Sequence, residues 1–166
     1  MTTRHEHDHE HDPLTGTRLE LTTTLAVPIN LVWDCVSDVT QIGRFSPECF
    51  EATWIDAHRF LGRNRFPEGH VREGVGVVTE RKHLTAFAWT MLDREDEVGS
   101  FWRYDLSPGT EPGTTVVHHS FEHGPGHTGL RDEARVDRSA ISERLARLAH
   151  NMSVTLFAME LATVGA

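Results

Sequence analysis

The 166-residue chain carries 16 basic and 25 acidic residues, a formal charge of −9, which excludes nucleic-acid binding through a concentrated basic surface. No apolar run approaches the roughly 18 residues of a membrane span, and nothing resembles a secretory leader. The length suits one domain large enough to enclose a cavity. Two cysteines, Cys35 and Cys49, in an otherwise ordinary composition fit a reduced cytoplasmic protein.

The chain opens with MTTRHEHDHEHD, which has no large apolar side chain beyond the initiator Met and cannot build a core. Residues 1–16 therefore read as a disordered tail and 17–166 as a single domain. His5, His7, His9 and His11 alternate with acids. They offer a weak, promiscuous site for zinc, nickel or copper, but a flexible tail pre-organises no coordination geometry, so no dedicated metal site is expected.

A first strand spans Thr17 to Leu25, with Leu19, Leu21, Thr23 and Leu25 on one face. Pro28 suits a first helical turn, because its φ is already helical and its missing N–H would have had no partner there. Ile29, Val32, Trp33 and Val36 then recur at helical spacing, and Ser37-Asp38 breaks the pattern. A second short helical piece, Thr40 to Phe45, runs into Ser46-Pro47-Glu48, where Pro47 disfavours helix at the preceding residue.

Strands follow in even succession: Glu51 to Ile55, Arg59 to Phe66, Val71 to Arg81, Thr85 to Leu92, Phe101 to Leu106 and Thr114 to Glu122. That is the pattern of an antiparallel meander. His123 to Asp132 carries three glycines and Pro125 and reads as a loop. A helix is predicted from about Val136 to Thr163. Ile141, Leu145, Leu148, Met152, Leu156 and Met159 form its apolar stripe, with Val154, Phe157 and Leu161 widening it. So broad a face belongs in the grip of a curved sheet.

The order of elements, together with Val27-Pro28, Val32-Trp33-Asp34, Ser37-Asp38, Ser46-Pro47-Glu48, the Phe60–Phe66 strand, Phe87-Ala88-Trp89, Trp102 with Tyr104, and Gly113-Thr114, resembles the SRPBCC or START-like superfamily in its polyketide cyclase/dehydrase-type branch. The resemblance implies an α+β helix-grip fold: a seven-stranded antiparallel sheet wrapped around a long C-terminal helix, with two short helices after strand 1. It also implies a cavity for a hydrophobic small molecule between sheet and helix. Members include aromatic polyketide cyclases, lipid carriers and hormone receptors, so the fold does not settle the function.

Alternation along the strands assigns the cavity face. Trp102, Tyr104 and Leu106 share one parity, as do Phe87, Trp89 and Met91, and Phe60, Gly62, Asn64 and Phe66. The expected ligand-binding set is Trp33, Phe45, Phe60, Asn64, Phe87, Trp89, Trp102, Met152 and Leu156, with Phe45 at the entrance. Any one of these aromatics reads more simply as core packing, but as a set they favour a cavity, which the resemblance independently implies. Asn64 either holds a ligand carbonyl or phenol or ties down a loop.

His118 and His119 are adjacent on the last strand, so one of them faces inward; the parity of Thr114 and Val116 favours His118. As a general base it would suit ring closure or dehydration, with Tyr104 donating to an enolate oxygen; the alternative for each is a core residue. Glu48, at a motif position of the resembled branch and at a helix exit, reads as a structural clamp accepting backbone or Arg hydrogen bonds, with Arg63 or Arg65 as partners; a catalytic acid is the alternative. No P-loop, GxGxxG, CxxC or HExxH appears.

The expected function is binding of a hydrophobic, aromatic or polyketide-like molecule in an internal cavity. Catalysis of its cyclisation or dehydration without cofactor or metal is one reading. Non-catalytic carriage or sequestration is the other. The small molecule is the expected partner, with neither nucleic acid nor a membrane span, and homodimerisation is left open. A third, weaker reading has the acidic surface meeting a basic partner.

Overall fold

The computed structural model describes residues 12–164. Its strands are β1 (Arg18–Leu25), β2 (Cys49–Trp54), β3 (Arg59–Arg65), β4 (Val71–Lys82), β5 (Ala86–Leu92), β6 (Val98–Pro108) and β7 (Thr115–His123). They form one seven-stranded sheet in the order β1-β7-β6-β5-β4-β3-β2, antiparallel throughout. Helix α1 (Ile29–Ser37) and a 3-10 turn (Val39–Arg44) link β1 to β2. Helices α2 (Gly129–Val136) and α3 (Ser139–Thr163) follow β7. Register shifts at Cys49/Glu51, Val78/Glu80 and Met91/Leu92 interrupt the ladders, and such bulges bend a sheet. The helix-grip architecture expected from the element order is the one observed.

Pro28 stands immediately before α1 and contributes the carbonyl that accepts from the amides of Leu31 and Val32. Val32, Trp33 and Val36 are the buried face of that helix. Asp38 then caps the 3-10 turn, its carboxylate accepting from the Thr40 amide at 3.1 Å. Along α3 the buried residues are Leu148, Met152, Thr155, Leu156 and Met159, which turns the expected stripe onto the sheet. The Glu160 carboxylate accepts from the Ala26 amide at 2.9 Å and ties the far end of α3 to the exit of β1.

Three features depart from the sequence reading. The tail was expected to run to residue 16, yet Leu14 is buried at 2 % exposure, and Asp12 pairs with Arg131 at 2.7 Å. The metal-binding expectation for His5, His7, His9 and His11 lies outside the described residues. The stretch Gly129–Val136, expected to be loop, is helix α2, started by Thr128, whose hydroxyl accepts from the Arg131 amide. Asp137, in extended backbone, separates it from α3, which starts at Ser139, within a turn of the expected start near Val136. Finally, Phe157 and Leu161 are each 58 % exposed and do not widen the buried face of α3.

A candidate ligand-binding cavity

The inner face of the sheet and α3 do not close completely on each other. Between them lies a cavity of about 140 Å3. Phe60 and Asn64 of β3, Phe87 and Trp89 of β5, Trp102 of β6 and Met152 of α3 line it, as strand alternation and helical spacing predicted. Tyr104 lines it as well. The rings form a continuous wall: Trp89 and Trp102 stack at 5.9 Å and 5°, and Trp89 meets Tyr104 at 5.8 Å.

Three residues expected on this wall are elsewhere. Trp33 is 7 % exposed and packs edge-on against Phe87 and His83, behind the wall. Phe45 is buried in the main core under the Arg44 guanidinium, not at an entrance. Leu156 is a core residue of α3 at 1 % exposure. Each lies on an apolar face, but packing against neighbouring side chains keeps them off the lining of this cavity.

The histidine expected inside is also corrected. The inward parity of β7 is Thr115, Val117, His119 and Phe121, so His118 faces outward. Its Nδ1 lies 2.7 Å from the Thr22 hydroxyl and its Nε2 3.4 Å from Glu20. His119, at 3 % exposure, is the imidazole on the cavity wall. The deciding signal was present at the end of the strand, where Phe121 takes the inward side and Glu122 the outward one.

His119 pairs across the ladder with Tyr104, and the two rings stack at 3.9 Å and 11°. Nδ1 of His119 sits 3.0 Å from the Arg103 carbonyl. A carbonyl only accepts, so Nδ1 carries the proton. The Arg103 guanidinium on the other face is held by Glu80 and by Asp105 at 2.8 Å, fixing the strand that presents this carbonyl. Burial pushes the imidazole down to about 4 and raises the Tyr104 phenol above its ordinary value. Both groups are therefore neutral at pH 7.

Glu48 and Asp38 bring carboxylates to the wall, and both are already engaged. Glu48 does not meet Arg63 or Arg65 as expected. It receives two hydrogen bonds from Arg144 of α3, at 2.6 and 3.0 Å, while Arg63 pairs with Glu51 and Glu73. Residue 144 lies near the start of α3, beside the Ser-Pro-Glu turn, which is why the partner comes from the helix. The clamp role itself is the one observed. Cys35 and Cys49 also line the cavity, as free thiols whose ionisation burial disfavours. Sequence reading missed both, and missed Thr155, a polar residue on the buried stripe of α3. Among the described residues no cluster of three or more His, Cys, Asp or Glu is placed to hold a metal ion.

The family model described as polyketide cyclase / dehydrase and lipid transport matches residues 16–153. The chain belongs to this family. Several solved structures share its fold. A Polyketide_cyc-like protein of Corynebacterium glutamicum is 27 % identical, with a TM-score of 0.57 over 86 % of this chain and 88 % of that one. A conserved protein of Geobacillus kaustophilus reaches a TM-score of 0.67 at 13 % identity, covering 89 % and 95 % of the two chains. An AHSA1-like protein of Aeromonas hydrophila gives 0.59 at 16 % identity, covering 88 % and 94 %. At such identities the last two show the fold alone. No curated protein matches the sequence. Membership of this polyketide cyclase/dehydrase and lipid-transport family, on a sheet-and-helix cavity lined by aromatic rings, marks a protein that binds a hydrophobic ligand. No helix among the described residues is long and apolar enough to cross a membrane.

Proposed function

We infer that the protein binds a neutral hydrophobic molecule about the size of one aromatic ring and releases it unchanged. The observation that carries this reading is the chemistry of the cavity wall. Its surface is aromatic, its carboxylates are engaged by Arg144 and by Thr40, burial disfavours ionisation of its thiols Cys35 and Cys49, and Tyr104 and His119 are neutral at pH 7. A volume of about 140 Å3 is close to that of engineered apolar cavities, about 150 Å3, that take up benzene. The free thiols and the charge of −9 further support a cytoplasmic protein without a nucleic-acid partner.

Catalysed cyclisation or dehydration is the second reading, favoured by a proton acceptor and a hydroxyl stacked in one cavity. It meets a difficulty in acid–base strength. A base near 4 and a phenol harder to ionise than usual both sit far from the neutral range in which proton transfer is efficient. Calorimetric titration with toluene and mass spectrometry of the organic extract of purified protein test the first reading. Saturable binding and an intact co-purified aromatic support it. Turnover of an offered ring precursor, lost in Tyr104→Phe, would establish the second in its place.

A further inference from the structure

Tyr104 and His119 present complementary hydrogen-bonding atoms to the same space. They rise side by side from paired positions on β6 and β7 with their rings in parallel contact. Because Nδ1–H of His119 is spent on the Arg103 carbonyl, Nε2 is a bare acceptor, on the ring edge farther from the backbone. The Tyr104 hydroxyl is the outermost atom of its side chain. Among the described residues neither Nε2 nor this hydroxyl has a protein hydrogen-bond partner, although both residues are at most 3 % exposed. Both side chains line the cavity, so these two atoms are hydrogen-bonding groups that the wall offers to whatever occupies it. Trp102 and Trp89 flank the pair at 5.7 and 5.8 Å, so the guest that reaches it lies along an aromatic wall.

Resting on the binding reading above, we propose that the ligand is a phenol. Its O–H donates to Nε2 of His119, and its oxygen accepts from the Tyr104 hydroxyl. One hydroxyl group satisfies both protein atoms. A plain hydrocarbon satisfies neither, an ether only the Tyr104 donor, and a carboxylate offers no hydrogen to Nε2. A site built to hydrogen-bond a hydroxyl discriminates strongly against analogues that lack it, because its own buried groups are then left unpaired.

The test is a titration of the full chain at pH 7 with phenol, anisole and toluene, followed by calorimetry and by 15N spectra of labelled histidine. The expected result is at least tenfold tighter binding of phenol than of either analogue, although phenol is the best hydrated of the three. The His119 Nε2 resonance moves with phenol and stays in place with toluene. In His119→Phe the order reverses and toluene binds best, while Tyr104→Phe weakens phenol severalfold and narrows its advantage over toluene. Should His119→Phe fail to fold, the wild-type series and the nitrogen shift still decide. Equal affinities for phenol and toluene, anisole as tight as phenol, or an unmoved Nε2 signal would each overturn the proposal. Toluene binding without a phenol preference would leave the cavity-binding reading standing. Binding of none of the three would remove both.

Discussion

His119 concentrates what is unusual in the cavity: an imidazole almost without solvent contact, kept neutral, with one nitrogen fixed by a backbone carbonyl. Its folded-state value of about 4 lies below the ordinary one of 6.5, so the unfolded chain binds this proton more readily. The contribution to stability is complete above pH 6.5 and is lost as pH falls through about 4. Over that window the expected loss from this group is on the order of 3 kcal/mol. Urea midpoints measured from pH 7 to 4 should fall, and should fall less in His119→Phe; equal slopes in the two proteins would contradict the assignment. The residue was half legible in the sequence. Two adjacent histidines guarantee one inward imidazole by alternation alone, but choosing between them needs the parity of the whole strand. Thr114 and Val116 misled, since threonine and valine suit either face, whereas Phe121 and Glu122 do not.

Among the elements, β3 and β4 show how missing side chains make room. Gly62 lines the cavity, and a methyl group there would rest at 3.8 Å from the Met91 methyl and 3.9 Å from Phe60, in ordinary contact. Gly62→Ala is therefore expected to raise stability by about 0.5–1 kcal/mol, by reducing the freedom of the unfolded chain. The same methyl occupies ligand space, so toluene affinity should drop severalfold. A thermal melt and one titration check both. Gly76 is the opposite case. Phe60 pairs with it across the ladder, and an added Cβ would lie 2.1 Å from the ring. Gly76→Ala must displace a buried ring, at an expected cost of about 1–3 kcal/mol measured by chemical denaturation. Strands and the long helix were legible because alternation and the Ile141–Met159 stripe are strong periodic signals. Helix α2 was not: it buries no residue, so it has no apolar face to announce it. Only the Thr128 cap, Asp132 in the first turn and Arg135 in the last marked it.

At the level of the whole molecule, the Glu48–Arg144 pair joins the turn before β2 to α3 across the cavity's flank. Its side chains are only 13 % and 18 % exposed. Removing one partner strands the other charge in a poorly solvated place, so Glu48→Gln is expected to cost about 2–4 kcal/mol by urea denaturation. Replacing both residues with methionine should cost clearly less than the single change, and a double-mutant cycle reads the difference. The pair was legible only in part. A clamp at the Ser-Pro-Glu turn followed from its place at a helix exit, but a partner 96 residues away has no local signature.

The sheet order imposes one last condition on this chain. Among the described residues β1 pairs with β7 alone, and Arg18 meets Glu122 across 104 residues. At synthesis rates of about 5–20 residues per second, the first strand waits on the order of 5–20 s for its mate. α3 emerges later still. Until then the nascent polypeptide exposes the edge of β1 and the leucines of its inner face, a template for pairing with other chains. His119 of β7 and Met152 of α3 therefore reach the cavity wall after the aromatic residues of β3, β5 and β6 have emerged, and the guest's site is closed by elements that follow the rest of its lining in synthesis.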